Sequence, residues 1–477
     1  MSVVVLIMIV YMAAMVGIGL YARTKIKDTE DYHLAGRRLG VLMTAGTLAA
    51  TEIGGGSSVG VASKAYGSWG LSAGWYVVAA GIGILLVSFV APAMRRSMAT
   101  TVPEVIGRRY GPASQTITAV LGGFAVMALA AVQITATATI ISTLAGIDTW
   151  KSILASGVAV VFYTWLGGMW SVTLTDFVQF FLIVGGFALA LPFAINGAGG
   201  WGSVVDRLPE GQLGFTKVGW PTILGLIVLY FMTFSTGQEA VQRYYSARTP
   251  RVAVQASILC GVLMSLYAFI PAILGLVALA EFPGIPENNA LATAAVNLLP
   301  PVMAGLLLSA VMSATLSSAS GDLLGAATIY VKDLHPKITR APLADQAELK
   351  LSRLVVLIVG TCAIGISLWS QQIIPLLVFA FTMRSAGPFA AFIFSLVWSR
   401  TSQRAGLVSI IIGTIVGVGW EAWGDKTTFA SIIVGSVSGV VVFLVIHMID
   451  ARAGRLTGDA WTGKDVDAPA PASGTTA

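Results

Sequence analysis

Glu52, Asp322 and Arg384 each interrupt an apolar run long enough to cross a bilayer. An ionisable side chain at mid-membrane costs at least ~2.5–3.5 kcal/mol on insertion scales, so it needs a partner or a task. A buried carboxylate can carry a proton or face a cation, and a guanidinium can take a carboxylate through two parallel hydrogen bonds. Glu52 and Arg384 could together suit a zwitterion, with a mutual salt bridge as the competing account. Asp176 and Glu239 lie nearer the ends of their runs. Solvation at the interface is the competing account for Glu239.

Hydroxyls form a second group in "SATLSSASGDLLGAATIYVKDL", Ser313 to Leu334. Ser317 and Ser320 are three apart and Ser313 is one turn earlier, so they share a helix face. Hydroxyl and carbonyl oxygens are hard donors, suited to a small hard cation such as Na⁺. A lone serine in a membrane helix more often bonds back to the carbonyl four residues earlier, but here the serines cluster beside an aspartate.

The third group is "ATEIGGGSSVG", Ala50 to Gly60. Gly54, Gly55 and Gly56 cost a helix roughly 2–3 kcal/mol relative to alanine. Adjacent glycines point three ways round a helix, so they do not make one small-residue packing face. They predict a break, which lets freed backbone groups line a cavity. A second break is expected five spans later in "YFMTFSTGQEAVQRYY" (Tyr230–Tyr245), where Thr233, Ser235, Thr236 and Gly237 interrupt the apolar run.

The elements that must position these groups are membrane helices. Of 477 residues 56% are hydrophobic and only 10% charged, with mean hydropathy +0.84; soluble domains carry about 25% charged residues. Thirteen candidate spans are expected near 2–22, 40–66, 70–95, 115–146, 152–168, 172–196, 221–240, 252–280, 288–330, 351–370, 372–399, 405–423 and 428–449. The first lacks a basic n-region and a cleavage site and is read as retained. Cys260 and Cys362 have no CxxC spacing and are read as inert core thiols. Residues 1–450 form one transmembrane domain, and 451–477 read as a short polar, disordered tail.

With the N-terminus outside, one set of loops holds Arg23, Lys25, Lys27, Arg37, Arg38, Arg95, Arg96, Arg108, Arg109, Arg243, Arg248, Arg251, Lys332, Lys337, Arg340, Lys350, Arg353, Arg400 and Arg404, joined by tail residues Arg452, Arg455 and Lys464. The other face holds Lys64, Lys151, Arg207, Lys217 and Lys426. Such an imbalance places the basic loops and the C-terminus in the cytoplasm of a cell-membrane protein. The net charge of +6 therefore describes topology, and nucleic-acid binding has no support. His33, His335 and His447 stand apart, with no HxxxH or HxH spacing, so an enzyme is not expected. A membrane solute sensor would need a signalling domain that the short tail does not supply.

At this level of detail the chain resembles the sodium:solute symporters over roughly 1–450. "TDFVQ" (Thr175–Gln179) after "WLGGMWSV" (Trp165–Val172), "GQEAVQRYYSART" (Gly237–Thr249) and "TVPEVIGRRYG" (Thr101–Gly111) are similar to that family's segments and fall in its order. The resemblance implies a leucine-transporter-like five-plus-five inverted repeat, with spans 2–6 and 7–11 as its halves and spans two and seven broken. It implies Na⁺ as the coupling ion, bound by carbonyls of Ala50, Ile53 and Ala314 and hydroxyls of Ser317 and Ser318. It also implies a second ion at Asp176, Ser317 and Ser320, although a further hydroxyl position of that site holds Gly321. Substrate contacts are expected at Glu52, Ser57, Ser58, Gln133, Thr137, Phe231 and Ser235, with Arg384 available for a carboxylate. The resulting expectation is an all-α secondary transporter that imports a small polar organic solute with Na⁺ by alternating access. A proton-coupled version would use Asp176 or Asp322 instead.

Overall fold

The computed structural model describes residues 3–339, 343–425 and 430–458. The expected tail from 459 onward, Arg340, Lys426 and Lys464 lie outside the described residues. Among the described residues nine helices are long and apolar enough to cross a membrane, or up to eleven if two bent pairs each count as one span. The expected count of thirteen is therefore not reached by length and composition. The difference lies in two stretches. Residues 40–66 divide into two helices that are too short singly, and the apolar helix of 152–168, Thr149–Phe162, is likewise too short before the Gly168 kink.

The helices used below are α1 (Val3–Arg23), α2 (Val41–Glu52), α3 (Val61–Tyr66), α4 (Trp75–Val87), α5 (Pro112–Ala145), α6 (Thr149–Gly197), α7 (Trp220–Thr236), α8 (Gln238–Ser246), α9 (Pro250–Tyr267), α10 (Phe269–Glu281), α11 (Pro301–Ile329), α12 (Asp345–Trp369), α13 (Ile373–Ser385), α14 (Pro388–Val397), α15 (Gln403–Trp423) and α16 (Ser431–Arg452). The expected span 288–330 is divided by Leu299 and Pro300, with a short helix, Ala290–Leu298, before α11. Helix α6 is kinked at Gly168, which takes φ 55° and ψ −169°, a conformation few other residues adopt.

Burial identifies the centre of the bundle. In the apolar window of α11, 83% is buried, against 17% in α1, because α11 packs on α5, α6 and α1 while α1 presents most of itself outward. Serine, alanine and glycine from Ser313 to Ala327 keep α11 slim enough for neighbours on every side. Cys260 is buried as expected, but Cys362 faces outward from α12 and is exposed.

Three further interruptions bear on the site. Helices α7 and α8 meet at 59°, and α13 and α14 at 50°. Pro388 opens α14 without a backbone N–H, which is one cause of the second bend. The third break separates α2 from α3. Here the backbone leaves the helix at Ile53, with ψ 72°, and resumes through a π turn at Gly56–Gly60.

Loop contacts sort the two ends of the bundle. On one end, Arg37 donates to the carbonyls of Tyr245, Met98 and Ala99, Arg95 donates to Ala247 O at 2.5 Å, and Leu39 bridges Ala247. Arg400 and Thr401 pair antiparallel with Gly458 and Thr457, bringing the segment after α16 toward α14 and α15. At the opposite end Leu71 N–H donates to Gln212 O, Trp75 Nε1 to Phe215 O, and Arg207 pairs with Glu281. Residues of three basic segments, 23–38, 95–109 and 243–251, thus touch one another.

Candidate functional site

The break after α2 is closed by side chains rather than by its own backbone. Gly55 N–H, which would reach back to the Thr51 carbonyl in an unbroken helix, donates instead to Gln133 Oε1 of α5 at 2.7 Å. The Thr51 carbonyl accepts from Ser318 Oγ of α11 at 2.5 Å. Ser58 Oγ donates to Gly54 O at 2.7 Å and Ser57 Oγ to Glu52 O at 3.1 Å.

None of the three glycines has a positive φ, so they are not there for a left-handed turn. Each admits a different neighbour instead. A Cβ on Gly54 would lie 2.5 Å from Ser318 Oγ, one on Gly55 2.6 Å from Ala136 Cβ, and one on Gly56 2.8 Å from Leu377 Cδ1. The break is where it was expected, but its glycines answer to α11, α5 and α13 closing in on the chain.

Ser318 is brought to that break by its contact with Thr51 O, while Ser317, Ala314, Ala50 and Ile53 are fully buried. Ser318 Oγ also lies 3.0 Å from Ala314 O. Whichever carbonyl takes its single proton, the oxygen keeps lone pairs for a cation. The Ser318 hydroxyl of α11 and the Thr51 carbonyl therefore meet at the break, and both are hard oxygen donors of the kind a hard monovalent cation takes.

Asp176 lies on the other side of Ser317. Its carboxylate accepts from Ser317 Oγ at 2.6 Å, Thr47 Oγ1 at 2.5 Å and Thr51 Oγ1 at 3.3 Å. Arg243 Nη2 of α8 approaches it to 3.1 Å, with both side chains almost wholly buried. Arg243 Nη1 donates to the Glu239 carbonyl. Ser320 Oγ turns away from Asp176 to Ser317 O at 2.9 Å. Gly321 faces the guanidinium, for a Cβ there would sit 3.1 Å from Arg243 Nη2. Arg243, expected among the basic loop residues and within the Gly237–Thr249 segment, thus stands beside the carboxylate of the expected second ion site.

A cavity lies next to the break, with about 40 Å³ open to the centre of a water-sized sphere. Glu52, Ser57 and Gln133 line it among the expected substrate residues, joined by Tyr76, Tyr230, Phe234, Phe381, Glu239 and Asp322. Ser58, Thr137, Phe231 and Ser235 do not. Thr137 Oγ1 bonds Thr315 Oγ1 at 2.7 Å, Phe231 packs on Phe389, and Ser235 Oγ caps the Phe231 carbonyl at 2.6 Å. A helix turns its residues through 100° each, so neighbours in sequence leave the cavity.

Arg384 is paired with Glu239, not Glu52. Its Nε donates to Thr233 Oγ1 at 2.9 Å, and its guanidinium lies 4.8 Å from the Phe381 ring centroid. A Cβ on Gly237 would come within 2.8 Å of Arg384 Cζ, so the bare glycine at the α7–α8 break makes way for the cation. Glu239 is 3% exposed, which removes the interfacial account of it. Arg384 lines a second cavity, bounded by Val102, Pro103, Thr118, Gly122, Gln238 and Ile329 among others. Glu239 belongs to the first. The ion pair therefore stands between the two.

The aromatic lining was missed because a tyrosine or phenylalanine in an apolar run reads the same whether it faces lipid or a cavity. Glu239 did carry a signal, being two residues past the Gly237 break.

A family model described as "Sodium:solute symporter family" matches residues 32–413. The chain is 25% identical to the sodium/proline symporter of Salmonella typhimurium, covering 92% of each chain. It is 26% identical to the sodium/pantothenate symporter of Haemophilus influenzae over 94% of this chain and 97% of that one. It is 23% identical to the sodium/sialic acid symporter SiaT of Proteus mirabilis over 94% and 95%. Among solved structures, a substrate-bound outward-open Na⁺-coupled sialic acid symporter superposes with TM-score 0.83 at 20% identity, covering 96% of this chain and 99% of that one. Mhp1, a nucleobase-cation-symport-1 family transporter, gives 0.55 at 14%.

Proposed function

The chain belongs to the sodium:solute symporter family and couples a small solute to Na⁺; from that premise we propose which residues do it and in which direction. Na⁺ binds the carbonyls of Ala50, Ile53 and Ala314 with the hydroxyls of Ser317 and Ser318. The observation that carries this reading is the Ser318 Oγ to Thr51 O contact of 2.5 Å, which holds α11 against the broken segment. A small polar organic solute occupies the adjacent cavity, touching Glu52, Ser57 and Gln133. Residues 1–450 act as one multi-pass domain in the bilayer, with spans 2–6 and 7–11 as its two halves. The basic loops and the C-terminus face the cytoplasm, and transport is inward by alternating access.

One Na⁺ is bound, not two. The place beside Asp176 is held by the Arg243 guanidinium at 3.1 Å, a tethered cation that matches the carboxylate's charge. The same pairing argues against Asp176 as a proton carrier.

The test is the melting of purified protein in Na⁺ against equimolar K⁺. Na⁺ alone raises the midpoint, and Ser318→Ala and Ser317→Ala each remove most of that rise. A midpoint indifferent to Na⁺ would overturn the coupling site. A rise that survives both substitutions would overturn the assignment of its ligands.

A further inference from the structure

The charged groups around the cavity do not balance, and the imbalance says what the solute carries. Four carboxylates surround the site: Glu52, Asp176, Glu239 and Asp322. Two guanidiniums face them, Arg243 on Asp176 and Arg384 on Glu239. Glu52 and Asp322 are left. Asp322 is 2% exposed, lines the cavity, and makes no hydrogen bond or ion pair with the described residues. Glu52 Oε1 is buried without a partner and opens on the same cavity. A buried charge left unpaired is among the costlier features a fold can keep. The coupling Na⁺, bound one residue from Glu52, offsets one of the two.

Resting on the symport reading above, we propose that the solute is a small organic monocation of the ammonium type, received by Asp322 and Glu52. The remaining walls fit that chemistry. Tyr76 and Tyr230 meet edge to face at 5.3 Å, with Phe234 5.1 Å from Tyr230, and Phe381 completes the lining. Aromatic rings and carboxylates together hold alkylated ammonium groups by cation–π and Coulomb attraction. No Lys or Arg among the described residues lines this cavity; Arg384 pairs with Glu239 and lines the other one. Among the described residues no three His, Cys, Asp or Glu side chains group to hold a metal ion, so the carboxylates are not a chelating site for a divalent cation.

The experiment uses the intact purified protein in detergent, first in Na⁺ alone and then in Na⁺ with millimolar probes. The probes are methylammonium, guanidinium, tetramethylammonium and choline. Each is paired with a neutral isostere (for choline, 3,3-dimethylbutan-1-ol) and with an anion of similar size. At least one monocation raises the midpoint by about 3 °C or more, only when Na⁺ is present, while the neutral and anionic members do not. Asp322→Asn weakens that cation at least tenfold and shifts preference toward its neutral isostere, a gain a misfolded variant cannot show. Stabilisation by an anion or neutral member of the wild type, or by no monocation, overturns the proposal. Failure of the symport reading is separate, since it appears as a midpoint that ignores Na⁺ before any solute is added.

Discussion

Arg384 of α13 reaches across the bare backbone of Gly237 to the carboxylate of Glu239, and this ion pair separates the central cavity from a second one. Both side chains are within 4% of full burial. Their mutual dependence is measurable. Arg384→Met leaves a buried carboxylate without a counter-charge, a loss of about 3–5 kcal/mol. Glu239→Gln/Arg384→Met removes both charges and recovers most of the stability. Melting of the two singles and the double in one cycle gives the coupling, and additive losses would mean the pair is not coupled.

The break after α2 predicts a steric contrast between glycines. Gly54→Ala puts a Cβ 2.5 Å from Ser318 Oγ and wedges α2 away from α11, so the Na⁺-dependent rise in melting midpoint is lost. Gly17→Ala meets nothing within 4 Å and gains roughly 0.5–1 kcal/mol of helix preference. A Gly54→Ala protein that melts and responds to Na⁺ like the parent would show that this close approach is dispensable.

A single Na⁺ predicts single-site binding. Isothermal titration with Na⁺ follows one site per chain, and Ser320→Ala leaves its affinity within about twofold. Ser318→Ala weakens it by roughly tenfold, the loss of one hydrogen-bond-scale contact to a charged group. A stoichiometry of two, or a large effect at Ser320, would restore the second site at Asp176.

His33 supplies a pH dependence outside the spans. Its Nδ1 meets Thr328 Oγ1 at 2.9 Å and its Nε2 lies 3.3 Å from Glu348. Burial holds the imidazole below its ordinary value of 6.5. The unfolded chain then binds the proton first, so His33 costs nothing above pH 6.5 and its contribution to stability falls as pH drops below it. Melting from pH 7.5 to 5.5 declines less in His33→Asn than in the parent. Equal slopes would place the titrating group elsewhere.

Much of the molecule was legible from residue order. Apolar length gave the helical membrane class, because hydrocarbon demands internally bonded backbone. Gly54–Gly56 and Gly237 marked two breaks at the right places, whereas the serine that meets the first of them is Ser318, outside the Ser313–Ser317–Ser320 face read from spacing. These signals are local: each depends on a few neighbours and the helical period.

What the sequence could not determine was which charge meets which. Glu239, Asp176 and Glu52 are carboxylates in three helices, and nothing in their order says that Arg384 takes the first, Arg243 the second, and none the third. Nor could it separate cavity-lining Tyr76, Tyr230, Phe234 and Phe381 from rings that face lipid. The glycines make the same point. In sequence they signal a break, whereas in the fold they are contact points for α11, α5 and α13. Pairing and lining are set by distances between segments tens or hundreds of residues apart, and only tertiary packing fixes those.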